Sequence, residues 1–369
     1  MHTSEKKNAD PTVTAAFGAK NRARLIETYF KDQAPPTPDT AWAHVYRLLL
    51  WIDQTTGLAH CYESDKCQPG KPWYGRSLAF HDWASSSLDT SPSGLADEID
   101  WLFRRATSDL AAEVLRRASA LVEAGAKQRK PYENRGFPRP GEDPELVSIV
   151  TEVLGAHLSG TPTPEQWQLL VQRIRQYLML ENKRRNLVGE GFEDVLAAVI
   201  RRTLPTSALD VRIRNLLHDL PGFHRARHGD KPNKVDLAIL RSHASKRTLV
   251  TAKWSLRADR ERQFASEYGE YVALESSRKP FEYVFVTNEF DPARLMRACE
   301  ALAGNAPMFT HVVHINPDAL KHTYRGSKHS KGAKLSEGDS KEESTEKVIG
   351  YIESGRLISL KQWLGLLET

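Results

Sequence analysis

Four short apolar runs between residues 235 and 315 constrain the fold more than any other feature: Val235–Leu240, Thr248–Trp254, Tyr283–Thr287 and His311–Ile315. Each is short for a helix, and β-branched or aromatic residues dominate, so each reads as a strand. Helix-favouring stretches, Asp259–Leu274 and Pro292–Ala303, separate them. Strand and helix in alternation predict an α/β fold with a central mixed sheet flanked by helices. Two of the expected strands carry an ionisable residue. Asp236 lies inside an apolar run, where an unpaired carboxylate is costly, so it calls for a cation. Lys253 lies near the end of the next run. An acid and a lysine on successive core strands can meet at one end of a sheet, as hydrolases use them to gather a divalent metal and a lysine around one phosphate.

Metal sites usually draw on more than one acid, and two more are placed to contribute. Glu193 sits in Gly191-Phe192-Glu193, on a predicted helix before the sheet. Phe192 and Val195 should turn inward and fix its register, which favours Glu193 over the neighbouring Glu190 and Asp194. Glu267 follows Lys253 on the next helix, where Asp259, Gln263 and Glu267 recur every four residues on one face. A hard, oxygen-seeking Mg²⁺ suits such carboxylates. Lys253 can neutralise a phosphate oxygen or orient the attacking water.

Asp236 followed by Thr251-Ala252-Lys253 resembles the PD-(D/E)XK nuclease motif, with Thr where the usual acid stands. Within that superfamily the chain is most similar to type II restriction endonucleases that cut sites containing CCGG. Those enzymes carry Ser-x-Lys and recover the missing acid about fourteen positions beyond the lysine; Glu267 stands fourteen positions beyond Lys253. They also carry Arg-x-Asp-Arg starting four residues past the lysine, matched by Arg257-Ala258-Asp259-Arg260. Arginines can pair with guanine O6 and N7, and a carboxylate can accept from cytosine amino groups, which are the edges a CCGG site presents. Thr251 in place of Ser, the lack of a Pro directly before Asp236, and a shorter Asp-to-Lys spacing depart from the family pattern. The resemblance spans roughly residues 185–290.

What the resemblance implies is a Mg²⁺-dependent, site-specific double-strand endonuclease that leaves 5′-phosphates. Asp236, Glu267 and Glu193 would hold the metal, Lys253 would assist the nucleophile, and Arg257, Asp259 and Arg260 would read the bases. A homodimer or homotetramer is expected, with a cognate DNA methyltransferase in the same system. Rival readings are a repair or modification-dependent nuclease on the same core, and a non-catalytic DNA-binding module in which Asp236 and Lys253 are an ion pair.

The rest of the chain predicts an N-terminal, mostly helical domain over residues 1–145 that could extend the DNA contacts, then an endonuclease domain over 146–369. Helical patterns occupy Asn21–Phe30, Trp42–Ile52 and Gly94–Ala124, and residues 126–144 are rich in charge, Pro and Gly, as domain boundaries are. Thr163, Pro164 and Gln166 form a helix-start signature. A second helix is expected after Gly189. Lys321–Lys347 is poor in apolar residues and reads as a mobile insertion. Between Glu63 and Ser77 a loop-like stretch mixes Lys71, Trp73, Tyr74 and Arg76. Two readings fit it: aromatics covering the helical core, or contacts with phosphates and bases.

Lys and Arg number 52 against 47 Asp and Glu, a net charge of +5, which is compatible with a polyanion partner without demanding one. Cys61, Cys67 and Cys299 make no disulfide framework. His60, Cys61, Cys67 and His81 lack the closely spaced Cys pair usual for zinc, so ordinary packing is expected of them. With no apolar run of membrane-spanning length and no signal-peptide pattern, a soluble, cytoplasmic protein is expected.

Overall fold

The computed structural model describes residues 19–49, 74–91, 94, 130, 144–155, 157, 160, 162–204, 209–226, 232–241, 247–256, 261–326 and 338–368. Three helices come first, α1 (Ala19–Lys31), α2 (Ala41–Leu49) and α3 (Tyr74–Ser87), followed by α4 (Pro144–Gly155) and the 40-residue α5 (Pro164–Thr203). Strands β1 (Leu209–Leu216), β2 (Lys234–Arg241) and β3 (Arg247–Lys253) lead to α6 (Glu261–Leu274) and β4 (Phe281–Thr287). Then come α7 (Pro292–Glu300), a small hairpin of β5 (Leu302–Ala303) and β6 (Ala306–Pro307), β7 (His311–His314) and α8 (Pro317–Gly326). The chain closes with α9 (Gly338–Glu353), β8 (Leu357–Ser359) and α10 (Leu360–Glu368).

Two compact units emerge, residues 1–21 with 105–187 and residues 22–104 with 188–369. Of the first, α4 and the beginning of α5 are described. The second holds the six-stranded sheet, ordered β1-β2-β3-β4-β7-β8. The first three strands run antiparallel to one another, whereas β3, β4, β7 and β8 are parallel, so the sheet is mixed as the alternating sequence predicted. Leu237, Ile239, Leu249, Val250, Val284, Phe285, Val312 and Val313 are buried in it. Helix α7 follows β4 directly because Asp291 caps it, accepting from the backbone of Ala293 and Arg294, with Pro292 at its first turn.

Helices α2 and α3 belong to the same unit as the sheet. Trp42, Tyr46, Phe80 and Trp83 cluster, with Tyr46 edge-to-face against the other three, and the cluster reaches Phe290 and Trp254 beside the strand ends. The buried Tyr46 hydroxyl donates to Asn288 Oδ1 at 2.8 Å.

The structure departs from the sequence reading at three places, in α3, in α5 and at β1. One continuous α5 replaces the two helices expected around Gly189. A glycine costs a helix only about 1 kcal/mol, and here residues 191–200 are all buried, so packing holds the helix through it. The helix does start on the expected cap: Thr163 N donates to Gln166 Oε1 at 2.8 Å, and Gln166 N returns to Thr163 Oγ1 at 3.4 Å. Strand β1 was not anticipated, because its charged residues obscure the alternation of Leu209, Val211 and Ile213. Tyr74 and Arg76 lie on helix α3 rather than in a loop. The Arg76 guanidinium sits over the Tyr324 ring, 5.4 Å from its centre.

Lys321–Gly326 closes α8 and Gly338–Lys347 lies within α9; residues 327–337 are outside the described residues. Lys71, Trp73, His60, Cys61, Cys67 and the predicted helix beyond Gly94 are outside them too. Among the described residues, no helix is long and apolar enough to cross a membrane.

Candidate active site

The antiparallel ladder of β2 and β3 pairs Leu237 with Val250. One step further along, Asp236 comes level with Thr251, and Lys253 projects from the same face two residues on. There Lys253 Nζ lies 2.6 Å from Asp236 Oδ2, both side chains about four-fifths buried. The same oxygen accepts from Ala252 N at 2.9 Å and from Thr251 Oγ1 at 3.3 Å. All these bonds fall on Oδ2, so among the described residues Oδ1 is the oxygen left towards a further cation. Thr251 thus supports Asp236 without adding a charge.

Glu193 approaches this pair from α5. Its side chain is about one-tenth exposed, and Arg214 Nη1 on β1 donates to its Oε2 at 2.8 Å. Burial raises the Glu193 carboxyl to about 7; the Asp236 charge adds to the rise, while Arg214 and Lys253 oppose it. Its neighbours on the helix are engaged elsewhere. Asp194 is held between Arg22 and Arg214, and the largely exposed Glu190 pairs with Arg22 at 2.7 Å. Phe192 is buried edge-to-face against Trp254, the residue after Lys253, with ring centres 5.4 Å apart. That contact fixes the helix rotation that turns Glu193 towards the strands.

Glu267 enters from α6. Gln263, one turn earlier, donates to its Oε1 at 2.6 Å, and the Tyr283 hydroxyl reaches its Oε2 at 3.4 Å. Burial raises the Glu267 carboxyl; Lys253 lowers it and the Asp236 charge raises it again. Burial likewise holds the Tyr271 and Tyr283 phenols above their ordinary range, and the charges of Glu267 and Asp236 add to that. Asp236, Lys253, Glu193 and Glu267 therefore share one electrostatic neighbourhood at the end of β3.

No protein-family model and no curated protein matches the chain.

Among the described residues, no three metal-binding side chains stand close enough together to form a ready-made cage. The donor chemistry nevertheless fits Mg²⁺, which keeps several waters and needs only one or two carboxylates. The Asp236 charge raises both Glu193 and Glu267, and a hard divalent cation held there would offset it. Arg257, Asp259 and Arg260 lie outside the described residues. Sequence reasoning missed Arg214, Arg22 and Tyr283. Arg214 could have been suspected from the alternating Leu209-Asp210-Val211-Arg212-Ile213-Arg214, in which charged positions mark one face of a strand.

Proposed function

We propose that the protein is a Mg²⁺-dependent endonuclease of the PD-(D/E)XK type that cuts double-stranded DNA at a palindromic site containing CCGG. The observation that carries this reading is the meeting of Asp236 and Lys253 across adjacent strands, with Glu193 and Glu267 brought to them from separate helices. Glu193 and Glu267, 74 positions apart, both feel the charges of Asp236 and Lys253. Asp236, Glu267 and Glu193 would hold Mg²⁺, which when bound supplies Lewis-acid polarisation of a phosphate and a more acidic water. Lys253, anchored on Asp236, places a positive charge where the scissile phosphate gains negative charge and orients the water that attacks phosphorus. The bond from phosphorus to the 3′ oxygen breaks, leaving a 5′-phosphate. Arg257, Asp259 and Arg260, beginning four residues past Lys253, would read the C·G pairs.

The direct Lys253–Asp236 bond also favours a second reading, a DNA-binding module in which this is a structural ion pair. Digestion of unmethylated phage DNA separates the two. The nuclease is expected to give discrete fragments ending at CCGG-containing sites in Mg²⁺, none in EDTA, and a loss of roughly a thousandfold in rate for Lys253→Ala. Discrete ends lacking CCGG would discard the role of Arg257, Asp259 and Arg260 alone. DNA left uncut at every protein concentration would favour the binding module, or a substrate carrying modified bases.

A further inference from the structure

Arg214 joins two acids of the candidate site from an unusual backbone position. In the register of β1 on β2, Ile213 pairs with Leu237 and Asn215 with Val235. Arg214 stands between them, level with Asp236 but not paired to it, and its backbone is left-handed at φ 49°. Its guanidinium crosses to α5, where Nη1 donates to Glu193 Oε2 at 2.8 Å and to the Glu190 carbonyl oxygen at 3.3 Å. Nη2 donates to Asp194 Oδ1. The other oxygen of Asp194 is held from α1, accepting from Arg22 Nε at 2.6 Å. Arg22 is itself only 4% exposed, and its Nη2 lies 2.7 Å from Glu190 Oε2. The Asp194 carboxylate thus has one oxygen on each arginine, and the arginine it shares with Glu193 is fixed from behind.

Neutralising Glu193 would not need this arrangement. A lysine, or an arginine on relaxed backbone, could bring a positive charge to one carboxylate. A planar fork that grips two adjacent side chains and a helix carbonyl admits a single orientation, and it fixes the Glu193 carboxylate with it. Backbone strain kept at a residue level with Asp236 points the same way, since strained conformations gather at functional sites. Arg214 takes Oε2, so among the described residues Oε1 is the oxygen left to Glu193 for a metal. Groups that hydrogen-bond to a ligating carboxylate set its orientation and commonly govern metal affinity.

We infer that Arg214 is a positioning residue for the metal site: backed by Asp194 and Arg22, it fixes the Glu193 carboxylate so that Oε1 is presented to the cation. This rests on the nuclease reading above and names the residue that completes its metal site. The guanidinium charge by itself opposes a second cation, so the sign of the effect separates positioning from competition. Removing a positioning residue weakens metal binding, whereas removing a competing charge strengthens it.

Mn²⁺ binding to the full chain, followed by electron paramagnetic resonance, tests this without relying on cleavage. Arg214→Met is expected to weaken binding about tenfold. Arg214→Lys, which keeps the charge and loses the fork, is expected to recover only part of that loss. In a Glu193→Gln chain, adding Arg214→Met is expected to change the affinity by less than about twofold, because Arg214 acts through Glu193 alone. Urea unfolding establishes that each variant is folded. Should Arg214→Met not fold, Arg22→Met, which removes the backing and leaves Arg214 in place, is expected to weaken binding about threefold, also only when Glu193 is present. Equal weakening with and without the Glu193 carboxylate overturns the positioning role, as does tighter binding in Arg214→Met; both leave the nuclease reading intact. A wild type that binds no Mn²⁺, or binds it as well after Glu193→Gln, overturns the metal site as assigned and this inference with it.

Discussion

Glu193 is buried where its charge is disfavoured, and that bears on stability as well as on its proposed role. A carboxylate buried beside Asp236 is better protonated, and its value of about 7 against an ordinary 4.5 expresses that. Because the folded value is raised, the stability linked to this group is full below about pH 4.5 and is lost as pH rises through about 7. Glu193→Gln removes the penalty and leaves Arg214 paired with Asp194. In EDTA at pH 8 the variant is therefore expected to be more stable than the wild type by on the order of 2–3 kcal/mol. The gap should close below about pH 5 in urea titrations. The same variant should lose Mg²⁺-dependent cleavage. This pairing of gained stability with lost activity is what residues kept for function produce. A variant less stable at pH 8 would mean that the Arg214 bond outweighs burial, making Glu193 a structural ion-pair partner.

Strand β1 carries the corresponding conflict between element and site. Its register with β2 runs from Leu209 opposite Arg241 to Leu216 opposite Lys234, but skips the position where Arg214 would face Asp236. There the backbone of Arg214 turns to φ 49°, in the left-handed region. Such a conformation costs a non-glycine residue about 1–2 kcal/mol, and it frees the guanidinium to reach Glu193 and Asp194 on α5. Arg214→Ala keeps the strain and loses both ion pairs, so it is expected to cost about 3 kcal/mol in urea unfolding. Arg214→Gly should be the milder change by about 1 kcal/mol, reversing the usual order of Ala over Gly in a strand. Equal losses would argue that the backbone there is relaxed. This element also marks the limit of what the sequence disclosed. The core strands were legible because Val235–Leu240, Thr248–Trp254, Tyr283–Thr287 and His311–Ile315 are apolar on both faces, as strands covered by helices must be. Asp236 and Lys253 stood out as charges in or beside such runs. An edge strand whose alternate residues are Asp210, Arg212 and Arg214 carries a weaker signal, and a partner such as Arg214 depends on pairing that no local pattern encodes. The bond from Leu256 N to the buried Glu289 was hidden for the same reason: the two residues lie 33 positions apart.

At the level of the whole molecule, one chain carries one Asp236–Lys253 site, while the proposed activity requires both strands of a palindrome to be cut. The antiparallel strands of DNA are related by a two-fold axis, so the proposed activity predicts two sites presented by a two-fold pair of subunits. The expected species on DNA is then at least a dimer of two 41.6 kDa chains, or a tetramer built from two such pairs. Mixing subunits tests this more directly than mass alone. If wild type and Lys253→Ala chains are refolded together in equal amounts, about half of the dimers hold one working site and one dead site. Such dimers can cut a single strand per binding event. Supercoiled plasmid with one cognate site should therefore accumulate as the nicked circle, a species that wild type alone converts promptly to linear DNA. A protein that works as a monomer, cutting the strands in separate visits, behaves differently: dead chains only dilute the live ones, and the ratio of nicked to linear product follows the dose of wild type. That outcome would remove the two-fold assembly from the account while leaving the chemistry at Asp236 and Lys253 untouched.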